Sequence, residues 1–114
     1  MKTNQNYTFE ILGGYLMDNN EVNTEYLASE IIDTAEGIEH LYNECFNTRR
    51  KPRNVAIEWL VFFVNKQLKN AGYRDYYANN AQLMNFDKRH GGSLERVLDI
   101  VEAEVKEERD SCIF

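Results

Sequence analysis

The run from Val55 to Val64 has nine apolar residues in ten, interrupted only by Glu58. A helix this apolar around its circumference must be covered on most sides. Ten residues are half of the ~20 needed to cross a bilayer, so the cover has to come from protein. Within 114 residues, the run is either the central helix of a bundle or a helix shared with a second copy of the chain. Pro52 stands where the first helical position would be, the one place its missing N–H costs nothing. Gly72 follows as a C-terminal stop. The helix is therefore expected over about residues 53–70.

Its partners can be read from periodicity. Over residues 24–46, Leu27, Ile31, Ala35, Ile38, Tyr42 and Cys45 recur at steps of four and three, a helical stripe. Asn23 or Thr24 is expected to cap it. Ser93 is read as the cap of a last helix, with Leu94, Val97, Leu98, Val101 and Val105 on one face. Residues 75–88 suggest a shorter helix ending at Gly91-Gly92. These elements imply a mainly α fold, a compact three- to four-helix bundle in a single helical domain, residues 1–114. Residues 7–17 are ambiguous: Gly13-Gly14 between two apolar runs fits a β-hairpin turn, and an extra short helix is the alternative. Their aromatic and β-branched content favours the hairpin.

Charge is unevenly distributed. The net −6 resolves into −8 over residues 1–48, +5 over 49–73, +1 over 74–93 and −4 over 94–114. A broad basic coat for nucleic acid is excluded. What remains is either complementarity between packed helices or a bipolar surface that meets charged partners. The two cysteines, Cys45 and Cys112, make no disulfide framework, and Cys112 lies third from the end, one place off a prenylation box. With no apolar signal-peptide core at the N-terminus, a cytoplasmic protein without a membrane anchor is expected.

No catalytic set, metal site or cofactor motif emerges. The two histidines, His40 and His90, have no partner at metal-ligand or triad spacing. Asn19 to Glu30 has the length of a calcium loop, but Thr24 occupies the position that requires glycine; a polar, helix-capping loop is the simpler reading. Arg89-His90-Gly91 resembles the histidine phosphatase signature. That family needs a second histidine far downstream, and the 24 residues after His90 hold none. A helix stop, a Gly-Gly turn and a serine cap account for the string.

Two binding features stand out. Arg49, Arg50, Lys51 and Arg53 form a compact basic loop suited to phosphate or an acidic partner. Tyr73, Arg74, Tyr76 and Tyr77 have the composition of interface hot spots. The acidic face of the last helix adds Glu95, Asp99 and Glu102 as candidates for contact with a basic surface. A non-catalytic protein-binding regulator or inhibitor that occludes a partner's surface is the reading these favour. The partner could be a basic nucleic-acid-binding surface. A small nucleic-acid-binding regulator using Arg49–Arg53 is the alternative, and a homodimer through helix 53–70 is allowed. The short, acidic, asparagine-rich composition also resembles that of small phage and mobile-element accessory proteins, some of which block CRISPR or restriction nucleases.

Overall fold

A computed structural model describes residues 4–16, 20–36, 51–74, 77–89 and 93–111. Five helices occur among them: α1 (Asn4–Leu16), α2 (Asn20–Glu36), α3 (Pro52–Asn70), α4 (Asn80–Arg89) and α5 (Ser93–Ser111). The molecule is compact and mainly helical, and no strand occurs among the described residues.

The apolar run lies within α3, which is the central element and packs against all four other helices. Val55, Ala56, Trp59, Leu60, Phe63, Val64 and Leu68 are buried along it. The most extensive contacts join α5 to α2 and α5 to α3, so the three long helices expected from periodicity do build the core. Leu27 and Ile31 of α2 meet Leu94, Val97, Leu98, Val101 and Val105 of α5 in one buried cluster. Among the described residues, no helix is long and apolar enough to cross a membrane.

The ends of α3 follow from chemistry. Pro52 opens it, and the Lys51 carbonyl accepts from the amides of Asn54 (3.0 Å) and Val55 (3.2 Å). At the other end Gly72 adopts φ 96°, the left-handed geometry that favours glycine. Its amide donates to the Lys69 carbonyl at 3.0 Å and that of Tyr73 to the Leu68 carbonyl at 2.8 Å. This pair of reversed bonds satisfies carbonyls that a helix end would leave bare.

Three expectations need correction. Residues 7–16 form a helix and not a hairpin. Alternation would have put Ile11 and Leu12 on opposite faces; instead Leu12 is fully buried, with Ile11, Tyr15 and Leu16 packed against the core. Burying a leucine is worth ~1.5–3 kcal/mol, which offsets the ~1 kcal/mol cost of each helical glycine. Tyr15 meets the Phe63 ring edge-on, with centroids 5.7 Å apart.

Helix α2 starts at Asn20, so Asn23 and Thr24 lie inside it and do not cap it. The calcium-loop-length stretch over residues 19–30 is helical from Asn20 onward. Ile38, Tyr42 and Cys45, the rest of that stripe, lie outside the described residues.

Helix α4 starts at Asn80, five residues later than expected. Its signal is Asn79-x-x-Gln82: the Gln82 amide donates to Asn79 Oδ1 and the Asn79 amide to Gln82 Oε1, both at 2.9 Å. That reciprocal capping box fixes where the helix can begin.

Candidate functional site

The late start of α4 leaves residues 77–79 as a non-helical link held against α3. One buried side chain holds the link there. Asn65 donates from Nδ2 to the Ala78 carbonyl and accepts at Oδ1 from the Ala78 amide, both at 2.8 Å. The same Nδ2 also reaches the Val61 carbonyl one turn back, at 2.8 Å. A carboxamide can pair with a peptide unit in this two-point way because it carries both donor and acceptor. Ala78 is thereby fully buried, while its neighbour Tyr77 points outward.

Tyr77 is 62% exposed and Phe62 is 39% exposed. They wall the same groove beside α3, a hollow of about 470 Å³ that also takes in Glu58, Val61, Asn65, Lys66 and Lys69. A second hollow of about 440 Å³ continues it toward Asn54 and Asn79, sharing Glu58, Val61 and Tyr77. The arrangement is an apolar floor between two aromatic rings, with cations at the C-terminal end of α3 and a carboxylate toward its middle. Such a surface can bury a partner's side chain and orient a charged flank.

Tyr26 is also exposed, at 55%. It stacks on Tyr15 at 5.9 Å. A hydrogen bond to Glu30, with that carboxylate's charge, holds its phenol above the usual range. Burial, then the charge of Glu30, pushes Tyr15 upward too.

One basic-loop candidate, Arg53, meets the acidic-face candidates. Arg53, in the first turn of α3, reaches three carboxylates spaced i, i+4, i+7 along α5. It contacts Glu95 at 2.5 Å, Asp99 at 2.7 Å and Glu102 at 3.2 Å. Partial burial pulls the Arg53 guanidinium down, but the bonds and charges of Asp99, Glu95 and Glu102 hold it above its ordinary value. The first turn of α3 contains no acid of its own, and these carboxylates supply the negative charge that a helix N-terminus favours. Glu102 is further paired with Lys106, at 3.3 Å. Arg53 and the three acids, assigned from sequence to separate surfaces, thus form one largely exposed ionic cluster within the chain.

Of the remaining candidates, Lys51 and Arg74 are exposed and Tyr73 is half-buried against the core. Arg49, Arg50 and Tyr76 lie outside the described residues, as do His40 and His90. Sequence reasoning missed Phe62, Asn65, Lys66 and Lys69. A signal was present: Phe62 stands one turn from both Glu58 and Lys66, on the polar stripe of an otherwise buried helix. Among the described residues, no group of three or more His, Cys, Asp or Glu side chains is arranged to hold a metal ion. No protein-family model, curated protein or solved structure matches this chain.

Proposed function

We propose that the chain is a non-catalytic protein-binding module, a regulator or inhibitor that acts by occupying a partner's surface through the Phe62–Tyr77 groove. The observation that carries this is the clamped presentation of Tyr77. An aromatic ring left largely in water, on a backbone fixed by two buried hydrogen bonds to Asn65, loses little conformational freedom when a partner covers it. Pre-organised tyrosines are effective anchors for this reason.

Arg53 and its three carboxylates play a structural part in this reading. Direct mimicry of phosphate by Glu95, Asp99 and Glu102 would require acids that already share a guanidinium. Blocking a host defence or nucleic-acid-processing complex remains the kind of action a small occluding protein can perform, with the groove as the contact.

The test is affinity capture of the tagged full chain from cells that express it, run beside Phe62→Ala/Tyr77→Ala. Both substitutions are at exposed rings, so circular dichroism should be unchanged. A protein retained by wild type and lost from the double variant is expected. A partner set that survives the double substitution, or no retention above the tag control, overturns the proposal.

A further inference from the structure

Building on that reading of the groove, we infer that the partner segment seated in it is acidic: a short peptide stretch with an apolar anchor flanked by Asp or Glu. The anchor fits the floor made by Val61 between Phe62 and Tyr77, and the acidic flank meets Lys66 and Lys69.

Length and charge argue together. From Glu58 to Lys69 the wall runs eleven residues along α3, about 17 Å at helical rise. That is room for three turns of a docked helix or five residues of extended chain. The cations stand on successive turns at one end, near the negative pole of the α3 dipole, and a carboxylate stands at the other. A segment with acids opposite Lys66 and Lys69 is matched at that end of the groove, and a basic segment is opposed at both lysines.

Single-stranded nucleic acid also stacks on aromatics beside lysines. It would have to approach a chain of net −6, though. Among the described residues lining the groove, the cations that oppose that repulsion are Lys66 and Lys69. A second copy of this chain would have to bring an acidic segment of its own into the groove.

Selection of displayed random 12-residue peptides on the full chain, with counter-selection on Phe62→Ala/Tyr77→Ala, reads the preference directly. Enriched peptides should combine an aromatic or large aliphatic residue with neighbouring Asp or Glu. Synthesised singly, they should bind about tenfold more weakly to Lys66→Gln/Lys69→Gln, and more weakly as salt rises. Lys66→Glu/Lys69→Glu should accept the same peptides with Lys in place of the acids.

Enrichment of basic or uncharged peptides, no enrichment at all, or indifference to the lysine substitutions overturns the inference. So does tighter binding of a 20-residue oligothymidine, or a dimer in light scattering that Phe62→Ala/Tyr77→Ala dissociates. If these outcomes occur while the double aromatic variant still loses its captured partner, the groove remains the binding surface and only its acidic preference falls.

Discussion

Asn65 does what a strand neighbour would do in a sheet: it offers both a donor and an acceptor to one peptide unit. Asn65→Leu would leave the buried amide and carbonyl of Ala78 without partners, at about 2–3 kcal/mol. It would also release Tyr77, so urea unfolding and partner binding should both suffer. Asn65→Asp removes the donor to Ala78 and Val61 and should be at least as damaging. Asp87 is the second buried polar residue with a structural task. It accepts from the Leu94 amide at 2.7 Å and so anchors the first turn of α5. Burial, with the Glu95 charge adding to it, raises its carboxyl above the ordinary 3.8, although bonds from the Leu94 and Glu95 amides pull the other way.

The native state therefore holds that proton more tightly than the unfolded chain, and between the ordinary and the raised value stability from this group falls as pH rises. Asp87→Asn keeps an acceptor for Leu94 without the charge. Its stability relative to wild type should improve on going from pH 3 to pH 7, as read by denaturant midpoints. A difference that stays flat or runs the other way would exclude the buried-charge account.

Helices α3 and α5 were legible in the sequence because long apolar stripes have a single period that tertiary packing reinforces. Helix α1 was not. Its Gly13-Gly14 pair fits a hairpin locally, and only the burial of Leu12 and the packing of Tyr15 on Phe63 decide for helix. Gly14 is exposed, and a Cβ there meets nothing within 4 Å. Gly14→Ala should thus stabilise the protein by about 0.5–1 kcal/mol, through helix propensity and a less disordered unfolded chain. A thermal midpoint that falls would contradict the helix.

The α3–α5 clasp was half legible: the complementary charge was plain, but which acids a given arginine meets depends on how two helices cross. Exposed ion pairs contribute little singly, yet Arg53 serves three carboxylates that would otherwise repel one another. Arg53→Met should cost about 1–2 kcal/mol at low salt and less at high salt. Loss of stability that does not depend on salt would assign the effect to packing.

At the scale of the whole molecule, the net charge of −6 conceals an ordered arrangement. The positive middle of the sequence is divided: Arg53 is taken up by α5, while Lys66 and Lys69 flank the groove. Of the exposed aromatics, Tyr26 stacks on Tyr15, while Phe62 and Tyr77 line the groove. The groove itself was the least legible feature, since it needs a helix face, a late helix start and a buried asparagine to coincide, and each carries only a local signal.

Tyr77 lines the groove and Tyr26 is not among its lining residues, and the two positions give the most direct test of the binding surface. A photo-crosslinking phenylalanine analogue placed at Tyr77, and separately at Tyr26, can be irradiated in cells that express the chain. A discrete covalent adduct to one partner protein is expected from position 77 and none from position 26. Adducts from position 26 alone, or none from position 77, would contradict the groove as the binding surface.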